Sequence, residues 1–116
     1  MPAPFVWFDA IIGDTKDTEN AAKFLTNMFD WHPIPVDGAT MLKEPSGEMP
    51  FAAVVPISDG ATGWVPYVSV DDVDVATTKA LGLGADLIRA RTKGPAGDYT
   101  IIALPGGAPM ALWTRG

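Results

Sequence analysis

The sequence predicts an α+β fold built from two βαβββ modules whose sheets curl round a cleft, and three observations lead there. Glycine and proline, 12 and 11 of 116 residues, fall between short apolar runs, as punctuation between strands does. Two segments, after Asp14 and after Asp72, instead repeat small and apolar residues at helical spacing. Sliding the chain by 58 positions lays one half on the other, Asp14 on Asp72, Ala10 on Val68, Ile12 on Val70, Ala22 on Ala80 and Leu25 on Leu83. The modules run about 5–58 and 63–116, within one domain spanning residues 1–116.

The first run, Phe5-Val6-Trp7-Phe8-Asp9-Ala10-Ile11-Ile12, is rich in aromatic and β-branched residues and reads as a strand. Asp14 or Asp17 caps a helix whose apolar stripe is Ala21, Ala22, Leu25, Met28 and Phe29, and Glu19 puts negative charge in its first turn. Asp30 to Pro35 ends it. Strands follow near 34–37, 39–43 and 51–57, separated by Asp37-Gly38, a hairpin dipeptide, and by Pro45-Ser46-Gly47. The second cycle opens with a strand over 65–70, anchored at Trp64. Asp71-Asp72 then caps a helix carrying Val73, Ala76, Ala80 and Leu83, with Gly84 placed as the left-handed C′ residue. Strands near 86–91, 98–104 and 109–114 complete it, with turns at Pro95-Ala96-Gly97 and Pro105-Gly106-Gly107.

Composition narrows the function. No stretch approaches the ~20 apolar residues of a membrane span, and the start lacks the basic and apolar regions of a signal peptide, so a cytoplasmic protein is expected. The absence of cysteine excludes disulfides, thiolate metal sites and a cysteine nucleophile. A net charge of -6 with dispersed arginines argues against nucleic acid as a partner.

Three segments, Phe5–Trp31, Trp64–Leu83 and Gly94–Trp113, resemble the glyoxalase/bleomycin-resistance/dioxygenase superfamily, the vicinal oxygen chelate proteins. The resemblance is carried by Asp14 and the helix ending in Phe29-Asp30-Trp31, by Val70-Asp71-Asp72-Val73-Asp74, and by Leu104-Pro105-Gly106-Gly107 before Ala111-Leu112-Trp113. It implies a curled mixed sheet with a cup-shaped cavity, and a homodimer.

Alternation along the strands sorts the side chains. Phe8, Ala10 and Ile12 are assigned to the face under the first helix, leaving Trp7, Asp9 and Ile11 for the open face. In the fifth strand Pro66, Val68 and Val70 go under the helix; Val65, Tyr67 and Ser69 do not. In the last, Met110 and Leu112 face the helix, while Pro109, Ala111 and Trp113 face the cavity. Metal-using members of the superfamily project His, Gln or Glu from these strands. The matching positions here are Trp7, Val65 and Ala111, with an apolar fourth strand over Ala52–Val55, and a divalent site needs about three His or carboxylate ligands. The single histidine, His32, is read as solvent-facing or capping. No metal and no cofactor are therefore expected.

Five residues are the candidate ligand-binding set: Trp7, Asp9, Tyr67, Ser69 and Trp113. Flat indoles suit a planar or cationic compound, and Asp9 and Tyr67 would orient it. Each has an ordinary structural alternative. Asp9 could pair with Arg89 or Arg91 or lie at a dimer interface, and the tryptophans could fill a core or a subunit contact. Ser69 has no His–Asp arrangement for nucleophilic catalysis. Neither glycine-rich turn has the lysine or strand-to-helix setting of a phosphate loop. The expected function is metal-independent binding of a small aromatic or drug-like compound. A metal-dependent lyase, isomerase or dioxygenase of the same superfamily, and an interaction module with a self-filled cup, are the alternatives.

Overall fold

The computed structural model describes residues 4–56 and 62–116. The chain runs β1 (Trp7–Ile11), α1 (Thr15–Phe29), β2 (His32–Val36), β3 (Ala39–Lys43), β4 (Pro50–Val55), β5 (Gly63–Ser69), α2 (Val73–Gly82), β6 (Asp86–Gly94), β7 (Gly97–Ala103) and β8 (Pro109–Arg115). The βαβββ order occurs twice, as the repeat requires. Ile57, the expected end of the fourth strand, and residue 58, the expected module end, lie outside the described residues. Contacts divide the chain into an N-terminal unit, Trp7–Trp64, and a C-terminal unit, Val65–Gly116 together with the chain start through Val6. The start joins the second unit because the Val6 N–H donates to the Tyr67 carbonyl at 2.9 Å. No helix among the described residues is long and apolar enough to cross a membrane.

In the N-terminal unit the strands lie in the order β2-β3-β4-β1. β1 and β4 are parallel and the other neighbours antiparallel. Asp37 and Gly38 form the β2–β3 hairpin turn with φ of 47° and 83°, the double left-handed geometry expected of an Asp-Gly pair. Asp14 rather than Asp17 caps α1, its carboxylate accepting the Asp17 N–H at 2.7 Å. The helix ends at Asp30, held at φ 58°. It lies over Ala10, Leu42, Ala52 and Val54, with Ala22 facing them and Ile12, Leu25, Trp31 and Phe51 closing the edges. Trp31 stacks on Phe29 (4.7 Å) and meets Phe51 edge-on (4.9 Å), the local packing its position suggests.

The C-terminal unit repeats the plan as β5-β8-β7-β6, again with the first and last strands of the module parallel. Asp72 caps α2 by accepting the Asp74 and Val75 N–H groups. At the other end the Ala85 N–H reaches Ala80 O and the Gly84 N–H reaches Leu81 O. With Gly84 at φ 104° this is a Schellman motif on the residue expected for it. Val73, Ile102 and Leu112 form the helix-side core, with Val70, Ala76, Ala80 and Met110 against it.

The repeat is kept in the pairing register. Asp9 stands opposite Ala53 and Ala10 opposite Val54; 58 positions on, Tyr67 stands opposite Ala111 and Val68 opposite Leu112. One expected equivalence fails. Leu25 lies inside α1 against the core, whereas Leu83 is the C-cap of the shorter α2 and is 73% exposed. A ten-residue helix ends before the turn that would carry Leu83 inward.

Candidate functional site

The predicted residues fall on the helix-free faces of the two units, and each face is built from its own strands. In the N-terminal unit Trp7 and Asp9 are two apart on β1 and so point the same way. The Trp7 Nε1–H donates to Asp9 Oδ1 at 2.7 Å. Asp9 is 7% exposed, and burial of a carboxylate is tolerable only with such donors. Its neighbours in chain and register, Ile11 and Ala53, are buried hydrocarbon. Arg91, one of the expected Asp9 partners, is engaged on the helix side of the other unit. There it donates to Asp98 (2.7 Å from Nη2) and to Asp74, whose carboxylates raise its pKa, Asp98 most.

In the C-terminal unit Tyr67, Ser69, Ala111 and Trp113 share one face, since Met110 and Leu112 point to the helix as expected. Ser69 sits opposite Trp113 and Tyr67 opposite Ala111 in the β5/β8 ladder. Tyr67 is buried, its ring 5.7 Å from that of Tyr99. Tyr99, paired with Trp113 across β7/β8, belongs to this face and is not among the five predicted residues. The signal was present: Thr100 and Ile102 turn toward α2, Thr100 through its hydroxyl contact with Thr77 at 2.8 Å, so alternation sends Tyr99 the other way.

Two guanidinium groups lie over these rings, Arg89 at 5.9 Å from the Tyr99 centroid and Arg115 at 5.7 Å from that of Trp113. The Trp113 indole rests where Gly97 has no side chain. A Cβ there would stand 2.9 Å from Trp113 Nε1 and 2.0 Å from the Thr114 carbonyl oxygen.

The positions that resemble the superfamily's metal ligands do not fit a metal. Val65 and Ala111 are fully buried hydrocarbon, and the Trp7 indole nitrogen is a donor already spent on Asp9. The fourth strand contributes Ala52, Ala53 and Val54. His32 opens β2 as an exposed residue and does not cap α1, which ends on Asp30. Among the described residues no three His, Cys, Asp or Glu side chains gather to hold an ion. Two surface hollows lie by α2 (Asp74, Val75, Thr78, Lys79) and by α1 and β2 (Lys23, Thr26, Pro33), away from the five predicted residues.

No protein-family model matches the chain, and no curated protein matches it. Solved structures do. A glyoxalase/bleomycin resistance protein/dioxygenase superfamily member from Vibrio splendidus aligns over 100% of both chains with a TM-score of 0.63 at 8% identity. A NAD-dependent benzaldehyde dehydrogenase from Legionella pneumophila aligns with a TM-score of 0.64 at 15% identity, over 95% of this chain and 98% of that one. A Mn(II)-bound glyoxalase from Novosphingobium aromaticivorans aligns with a TM-score of 0.62 at 16% identity, over 95% of this chain but 38% of the larger one. Such identities speak for backbone alone, and the two neighbours with a stated activity, a dehydrogenase and a glyoxalase, differ in it. What they establish is that this chain has the vicinal oxygen chelate fold of the glyoxalase/bleomycin resistance/dioxygenase proteins.

Proposed function

We propose that this chain binds a small, partly aromatic organic molecule without a metal ion, holding the compound rather than transforming it. The observation that carries this reading is the replacement of electron-pair donors by hydrocarbon and indole at Trp7, Val65 and Ala111. The helix-free face of the C-terminal unit supports it with the half-buried Trp113 indole, on which a flat molecule can stack, with the Ser69 hydroxyl opposite it, and with buried Tyr67 and Tyr99 as the floor beneath. In the N-terminal unit Trp7 and Asp9 offer an indole face whose orientation the carboxylate fixes. The protein acts in the cytoplasm as a homodimer in this reading. Exposed apolar residues one turn apart on α1, Phe24 and Met28, are consistent with a covering second copy.

Titration of a planar-compound panel against tryptophan fluorescence tests the proposal. Saturable quenching that Trp113→Leu weakens is the expected result, and no response from any compound overturns it. One observation favours a second reading, a metal-dependent lyase, isomerase or dioxygenase: a fold neighbour is a Mn(II)-bound glyoxalase. Stoichiometric divalent metal in purified protein, with turnover of a hemithioacetal or a catechol, would establish that reading instead.

A further inference from the structure

We infer that the compound held by the helix-free face of the C-terminal unit carries a negative charge beside its aromatic ring, a carboxylate being the simplest case. The inference rests on the small-molecule reading above and adds to it a chemical class. It starts from what the three arginines do. Arg91 is spent on Asp98 and Asp74 on the helix side. Arg89 and Arg115 both lie over aromatic rings of the opposite face, Tyr99 and Trp113. Arg115 has no carboxylate partner among the described residues. Arg89 also donates to the Thr92 hydroxyl at 3.0 Å, whereas for Arg115 the pairing with Trp113 leaves the guanidinium edge open while the ring holds its plane.

The second donor is the Trp113 indole N–H, which has no acceptor among the described residues. It sits on the cradle left by Gly97, the residue opposite Arg115 in the β7/β8 ladder. The Arg115 guanidinium, 5.7 Å from the Trp113 ring centroid, and the indole N–H of that ring present donors only, and the two acceptor oxygens of a carboxylate match them in kind. In a chain of net charge -6 the overall field repels anions, so a cationic edge here acts as a local exception. Stacking on the half-buried Trp113 indole supplies area and the charged edge supplies orientation.

The test compares three near-isosteric probes on the full chain, by tryptophan quenching and calorimetry: naphthalene-2-carboxylate, naphthalene-2-carboxamide and naphthalen-2-ylmethylammonium. The carboxylate is expected to bind about tenfold tighter than the amide, since it meets the guanidinium as an ion pair and the amide oxygen meets it as a neutral acceptor. The ammonium is expected to bind weakest. Arg115→Gln, at an exposed position, is expected to remove the carboxylate preference while leaving the melting temperature unchanged. Amide or ammonium binding equal to that of the carboxylate overturns the charge inference and leaves the small-molecule reading standing, as does a preference that survives Arg115→Gln. Failure of all three probes to bind, together with a silent compound panel, overturns both.

Discussion

The two units share a backbone plan and differ on the face their helices leave uncovered. Both run βαβββ, and both pair their outer module strands in parallel at one register. In the N-terminal unit that face holds a carboxylate clasped by its own strand's indole among Ile11 and Ala53. In the C-terminal unit it holds aromatic rings under guanidinium groups. Burial under a helix favours hydrocarbon and hydroxyls satisfied within the layer, such as Thr100 with Thr77, so the helix-side layers stay alike, whereas the opposite faces are free to diverge.

The outer strands differ in the same spirit. β2 carries Pro33 and Pro35 on alternate residues, which removes the outward N–H groups and blunts it as a template for another strand. β6 is nine residues long and guards itself otherwise, with register shifts around Arg89 and with basic residues Arg89, Arg91 and Lys93.

Substitutions can break or sharpen this contrast. The largest effects belong to the matching helix-side layers. Leu42→Ala and Ile102→Ala, at 0% and 3% exposure, are each expected to cost about 2–5 kcal/mol in urea denaturation. A much smaller loss for Ile102→Ala would show that the shorter α2 leaves its layer looser. Next stands Gly97→Ala, a site special to the C-terminal unit. The added Cβ meets the Thr114 carbonyl oxygen, so a loss of about 1–3 kcal/mol is expected, with an altered near-ultraviolet signal from Trp113. Trp7→Phe removes a donor from buried Asp9 and is expected to cost about 1–3 kcal/mol, with no counterpart at Val65. Capping comes lower, with Asp14→Ala and Asp72→Ala expected to cost about 1 kcal/mol each in thermal melts.

The smallest effect concerns acids in the first helical turns. Asp17 is pushed above the usual carboxylate range, chiefly by its side-chain hydrogen bond with Asp14 and next by repulsion from that group. A raised folded-state value means the folded protein holds that proton more tightly. The favourable contribution is complete below the unfolded pKa and is lost as pH rises through the folded one. Asp17→Asn should therefore raise the melting temperature slightly at pH 7 and leave it unchanged at pH 3. Asp74, in the first turn of α2, is paired with Arg91, so Asp74→Asn should lower it slightly at pH 7.

Much of the architecture was legible because it is written in local chemistry. Asp72 and Gly84 bracket α2 by side-chain capping and by a left-handed backbone, both properties of single residues. Asp37-Gly38 names its turn for the same reason. The choice between Asp14 and Asp17 was not legible, because both residue types can cap and the geometry of the entering chain selects one. Strand ends shifted by a few residues, β6 reaching Gly94 rather than residue 91, since pairing with β7 extends it beyond its own propensity. Tyr99 escaped notice because its importance comes from Tyr67 and Trp113, which reach it from other strands.

The sequence by itself determined the repeat, the Asp72 cap and Gly84 stop of α2, and the helix-facing side of β1, β5 and β8, because periodicity and capping act over a few residues. Only the tertiary structure decided that Arg91 would be spent on Asp74 and Asp98 and that Gly97 would seat an indole. Contacts of that kind depend on where strands and long side chains meet in space, and spacing along the chain carries no record of it.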